Sequence, residues 1–498
     1  MKTKSKAFIP LLAALMVFSL GACGNGVSGD TAGNGSTSQI SESSGPSETG
    51  ESNVPGNPPG PPPEGAPGEN GEPNENGGPG GNGAPGGAPG GSSADIDYSG
   101  TVEITSAETQ SRQTYRSETA DESALLISTS EDVKINDPTV TKTGDSDSGD
   151  NCNFYGLNAA VLVKDGATAT ITGGTITTSA NGANGVFSYG GNGGQNGVKG
   201  DGTTVIIRDT SITTTGDGSG GIMTTGGGIT YAYDLDVTTS GQSSAAIRTD
   251  RGGGTVYVEG GTYTSNGLGS PAIYSTAAIQ VENATLTSNL SEGVCIEGMN
   301  SIELTDCDLT ANNTKRNGNA RFLDSIMIYQ SMSGDAQSGT SSFTMTGGTL
   351  TSKSGHVFHV TNTNAVITLR DVELINEDSD NILISVCDDG WDGGSNTAIL
   401  NASSQKLAGA VLVGSNSTLT LNLTDGSTFE GYVDGNITDA DGTTVSTEVG
   451  TVSVTLDDSS IWTLTGDSYV TEFNGDAANV ISNGYTLYVN GTAQSGTN

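Results

Sequence analysis

The chain is poor in positive charge. Of its 498 residues only 18 are Lys or Arg, against 56 Asp or Glu, for a formal net charge of −38. Nucleic acid and anionic lipid both need a basic footprint, so neither is expected as a direct partner; cations and basic surfaces suit this composition better. Aromatic residues make up 5% and hydrophobic residues 32%. That is thin for one compact core, but sufficient for a repeat that stacks one narrow apolar strip on the next. Long helices are excluded as well, because β-branched Thr, Val and Ile alternate with polar residues and are interrupted by Gly. The five cysteines show no CxxC spacing, which leaves no zinc site. Cys152, Cys295, Cys307 and Cys387 suit disulfides in an exported protein or small buried hydrophobes equally well. His356 and His359 lie three apart in a strand pattern and face opposite ways, which argues against a shared metal.

Apolar runs are also scarce, and the one that stands out is N-terminal. Lys2, Lys4 and Lys6 precede an apolar stretch from Ala7 to Leu20, the pattern of an export signal and too short for a comfortable membrane span. Leu20-Gly21-Ala22-Cys23 resembles the lipobox of bacterial lipoproteins. That resemblance implies removal of residues 1–22, a lipid on Cys23, and attachment to the membrane of a bacterial envelope. Residues 23–94 hold twelve of the fifteen prolines and no Lys or Arg, and are expected to form a disordered Gly/Pro/Ser/Asn-rich tether.

Beyond residue 95 the chain repeats itself. "ATITGGTITTS" (169–179), "VYVEGGTYTSNG" (256–267) and "IELTDCDLTANN" (302–313) each pair two alternating apolar residues with a Gly, Asp or Asn corner and a second short strand. Ile176, Ile212, Val237, Tyr263, Leu286, Leu309, Leu350 and Leu374 fall at equivalent positions with a base period near 24 residues, interrupted by two insertions. A third strand follows in each turn, as in "GIMTT" (221–225) and "AIRTD" (246–250). Three short strands per turn of this length predict a parallel β-helix of nine to twelve turns. Residues 95–150 are expected to hold the N-terminal cap and first turns, 151–444 the β-helix, and 445–498 the C-terminal cap with Trp462 packed in it.

From about 95 to 440 the chain resembles right-handed parallel β-helix proteins of the pectate-lyase-like and adhesin type. "SSIWTLTGDSYVTEF" (459–473) is similar to the segment that closes the passenger β-helix of autotransporter adhesins. No outer-membrane barrel follows it here, so the lipid on Cys23 is expected to serve as the anchor.

Register converts the repeat into a surface. If Val186, Ile222, Ile247, Ile273, Ile296, Ile328, Phe358 and Ile384 point inward, then Phe187, Met223, Arg248, Tyr274, Glu297, Tyr329, His359 and Ser385 form one outward column, flanked by Tyr189, Thr225, Asp250, Thr276 and Met299. Arg248, Asp250, Tyr274, Glu297, Tyr329 and His359 are therefore the candidate ligand-binding residues, on a strip suited to a sugar chain or an extended peptide. Asp388, Asp389 and Asp392, around Trp391 in a Gly-rich loop, are candidate calcium ligands without the full EF-hand spacing. No nucleophile–base motif stands out. The expected function is a lipid-anchored, adhesin-like surface protein that binds a polysaccharide or a neighbouring surface along its side. The β-helix resemblance keeps a polysaccharide lyase or hydrolase acting on acidic glycans as one alternative, and a structural envelope spacer is another.

Overall fold

The computed structural model describes residues 96–191, 199–318, 320–331, 333–390 and 395–494. One turn shows how the alternation becomes architecture. In the strand Thr204–Arg208, Val205 and Ile207 are buried while Thr204, Ile206 and Arg208 look outward. Asp209 then takes a left-handed backbone, φ 52°, and the chain turns into Ser211–Thr214, which buries Ile212. A third strand, Ile222–Thr225, closes the turn, and the next turn starts at Gly228 beside the first.

Repetition of this unit gives three all-parallel sheets of 15, 14 and 10 strands, here sheets A, B and C, and the chain is a parallel β-helix. Third strands such as Ile222–Thr225 build sheet A, Thr204–Arg208 belongs to sheet B and Ser211–Thr214 to sheet C. At about 4.8 Å per rung, sheet A spans roughly 65–70 Å. This is longer than the nine to twelve turns expected, because residues 99–142 already form two turns and sheets A and B continue to Val480–Ile481 and Glu472–Asn474.

The corners explain the Gly/Asp/Asn punctuation. Between sheets B and C, Asp209, Asp234, Asn283, Asp306 and Asp371 all adopt φ between 49° and 55°. Apart from Gly, which fills the same corner at Gly260 and Gly347 with φ 72° and 65°, Asp and Asn are the residues that tolerate this region best. Between sheets C and A, stacked serines satisfy the backbone: Ala183, Ser219 and Ser244 each donate their N–H to the hydroxyl one turn on, Ser219, Ser244 and Ser270, at 2.8–2.9 Å.

Sheet C ends at Glu373–Asn376. Beyond it longer strands, Asn396–Ser403 and Ser417–Thr424 in sheet B and Lys406–Val413 and Thr428–Asp434 in sheet A, enclose the core between two walls. Trp462 closes this end: fully buried, it stacks on Phe429 at 5.5 Å between ring centroids and donates its indole N–H to Gly431. All four cysteines from Cys152 onward are buried and free.

Candidate functional site

Sheet A departs from the expected alternation. Its strands Val186–Tyr189, Ile222–Thr225, Val294–Glu297, Asp324–Tyr329 and His356–Thr361 are buried at every position, as parallel strands covered on both faces are. Part of the cover is a short helix, α1 (Gly149–Tyr155), whose Phe154 and Tyr155 pack with Leu126, Leu162, Phe187 and Met223. Farther along, inserted segments fold over the sheet, bringing Phe322 and Ile437 against Cys387 and Leu412. Ion pairs fasten the cover, Arg251 to Asp335 at 2.6 Å and Arg321 to Asp439 at 2.9 Å. Arg251 also lies 4.0 Å over the ring of Phe154.

The proposed ligand strip is therefore not an open trough. Arg248, Asp250, Tyr274, Glu297, Tyr329 and His359 all point away from the central core, yet none exceeds 2% exposure. The column is also redrawn. Tyr274 pairs with Cys295, Cys295 with Met327 and Met327 with His359, whereas Glu297 and Tyr329 fall two residues on, in the column of Asp250. A two-residue slip keeps every inward residue inward, so alternation alone cannot detect it. Met299 leaves the column altogether and is 50% exposed at a corner.

Under the cover these side chains satisfy one another. Arg248 donates to Asp250 at 2.7 Å, to the Ser243 carbonyl at 3.0 Å and to Asn153 of α1 at 3.2 Å. Asp250 also accepts the Arg251 N–H at 2.9 Å. Tyr274 and Tyr329 donate to the same Glu297 oxygen at 2.6 and 3.3 Å, and Ser331 and Ser333 donate to the other. Burial pushes the Asp250 carboxyl up to about 7 against the pull of Arg248, and raises Glu297 as well. Arg248 and Asp250 fasten α1 to the sheet.

A second enclosed group brings together His356 and His359, whose spacing in a strand had implied opposite faces; their rings lie 6.3 Å apart. Ser385 Oγ lies 2.7 Å from Nδ1 of both His356 and His359, and His359 Nε2 lies 3.2 Å from Asp389. One consistent assignment has His356 donating to Ser385 and Ser385 to His359, whose Nε2–H then points at Asp389. The ring of Phe322 roofs both imidazoles at 5.3 and 4.7 Å. Burial holds His356 down to about 3, so it is neutral at physiological pH. Of the candidate calcium ligands, Asp389 is buried beneath the cover and accepts the Arg321 N–H, while Asp388 is exposed and accepts from Asn396. Asp392 and Trp391 lie outside the described residues, as does Cys23. Among the described residues no three His, Cys, Asp or Glu side chains are grouped to hold a metal.

Sheet B, unlike sheet A, presents an uncovered outer face. Register aligns Thr170, Ile206, Tyr231, Tyr257, Gln280 and Glu303 in one outward column. Tyr231 and Tyr257 stack at 5.0 Å with planes 8° apart, and Tyr257 is 37% exposed. Beside them run Arg208, Tyr233, Glu259 and Glu282, with the Arg208 guanidinium 4.7 Å over the Tyr233 ring. Next to this platform, at the corner leading from sheet A, an open depression of about 310 Å³ is lined by Ala277, Met299, Asn300, Ser301, Gln337 and Ser342, among others. Its residues Ser301 and Ser342 sit on sheet B two positions before Glu303 and Thr344. Comparison with protein-family models, curated proteins and solved structures returns no match for this chain.

Proposed function

We propose that the chain is an exported surface protein, anchored through a lipid on Cys23, that binds extracellular polysaccharide along sheet B. The observation that carries this reading is the Tyr231–Tyr257 stack on an uncovered face, with polar side chains continuing its column and a depression at its edge. The two rings face each other, so the pair presents apolar ring edges and hydroxyls outward to the C–H groups and hydroxyl groups of a sugar, and the Gln280 amide continues the column. The depression is large enough for a branch or a hydroxymethyl substituent. A rod with one binding side, held by a lipid at one end, suits an adhesin-like role at the cell surface.

Glycan-array binding followed by titration tests the reading. Tyr257→Ala, alone or with Tyr231→Ala, is expected to lower affinity for the best array ligand at least tenfold, about 1.4 kcal/mol, with circular dichroism unchanged. Both side chains leave the core intact when truncated, so lost binding reports the surface. Equal affinity in wild type and double variant would sink the sheet B site; an array with no ligand at all would favour a structural spacer.

A further inference from the structure

Resting on the polysaccharide reading, we infer that the sheet B site selects an uncharged, extended glycan laid along the rod axis and rejects acidic ones. Direction comes from the column itself. Ile206, Tyr231, Tyr257, Gln280 and Glu303 belong to five successive rungs, which span roughly 19 Å at about 4.8 Å each. A ligand that touches all of them crosses the strands. A sugar chain that instead followed one strand would meet Tyr231 and the Arg208-covered Tyr233, or Tyr257 alone, and then leave the sheet at a corner.

Charge sets the class. Glu259, Glu282 and Glu303 are exposed around the tyrosines, and Gln280 reaches the Glu303 carboxylate at 3.3 Å. Against these three acids the same patch offers one cation, Arg208, whose guanidinium is occupied over Tyr233. The chain as a whole carries −38. A uronate or sulfate ester brought to the tyrosines meets like charge at short range and a repulsive field at long range, whereas a neutral hexose meets rings and an amide without that repulsion. The part of the site that grips and the part that discriminates are thus different residues.

Affinity gel electrophoresis of the full chain separates the outcomes, with gels containing a neutral β-glucan, polygalacturonate or chitosan. Wild type is expected to be retarded by the neutral glucan equally at low and high salt, and not by polygalacturonate. The double variant Glu259→Gln, Glu282→Gln, which leaves the contacted column untouched, is expected to keep its neutral-glucan retardation and to gain retardation by polygalacturonate. The double variant Tyr231→Ala, Tyr257→Ala loses the neutral-glucan retardation. Retardation of wild type by polygalacturonate as strong as by the neutral glucan overturns the selectivity while leaving polysaccharide binding intact. Binding to chitosan alone, abolished by salt, overturns it in favour of a cationic ligand. Free migration in all three gels overturns the polysaccharide reading itself.

Discussion

Asp250→Ala is expected to cost about 3–5 kcal/mol at pH 8 and to loosen the cover of sheet A. The reason is what it leaves behind. Arg248 is 2% exposed and a guanidinium stays charged, so without Asp250 it keeps the Ser243 carbonyl, Asn153 and the Tyr274 ring at 5.8 Å, none of them an anion, to replace lost water. The cost belongs to the orphaned charge rather than to the contact. Replacing both partners, Arg248→Met with Asp250→Leu, is therefore expected to cost much less than the single change. Because each turn of a solenoid rests mainly on its neighbours, the damage should stay local. Amide exchange should accelerate in α1 and around Ile247–Thr249 and Ile273–Ser275, while Thr451–Leu456 keeps its protection. Unchanged melting and unchanged exchange near α1 in Asp250→Ala would rule out the stapling role.

The central repeat was legible because burial imposes it. The eight residues placed at equivalent positions, from Ile176 to Leu374, form one continuous inward column of sheet C. Each must be apolar and each must recur, so the period survives in the sequence. Sheet A failed on two counts. Its corner lengths trade two residues before Val294, and a period of two is blind to that trade. Its cover consists of α1 and insertions that follow no period, so nothing in the repeat announces that Arg248 and Tyr274 lie beneath another layer.

The sheet B tyrosines do carry a signal in the sequence. Tyr231 and Tyr257 stand at outward positions that Gln280, Glu303 and Thr344 fill in the following turns. An aromatic ring where neighbouring turns place polar groups is a departure from the repeat, and such departures mark function more directly than rare charges do. Arg248 is one of only 18 Lys or Arg residues. Scarcity in an acidic chain, however, also describes a cation kept to neutralise a buried acid.

Asp324→Asn is expected to stabilise the protein, by about 1–4 kcal/mol at pH 8 and by far less at pH 5. Asp324 is fully buried, and neither carboxylate oxygen has a hydrogen-bond partner. Glu292, beside Cys295 on the preceding rung, and Asp389, from the segment after Val386, both face it with negative charge. His356 pairs with it in register but is held neutral, and His359 points its free nitrogen at Asp389. Burial, then Glu292 and Asp389, raise the Asp324 carboxyl well above its usual range, and burial raises Glu292 too. In the unfolded chain Asp324 titrates near 4, so above that pH the folded state binds more protons than the unfolded one. A raised carboxyl therefore contributes stability that is complete below about pH 4 and is lost as pH climbs toward the folded value. His356 works in the opposite sense between about 3 and 6.5, but it is present in both proteins and cancels from their difference. Asparagine keeps the shape, removes the titration, and supplies an N–H₂ for the carboxylates of Glu292 or Asp389. The gain measured by chemical unfolding should thus grow from pH 5 to pH 8. A flat difference, or a variant less stable than wild type at pH 8, would show that Asp324 is ionised and compensated in the folded protein.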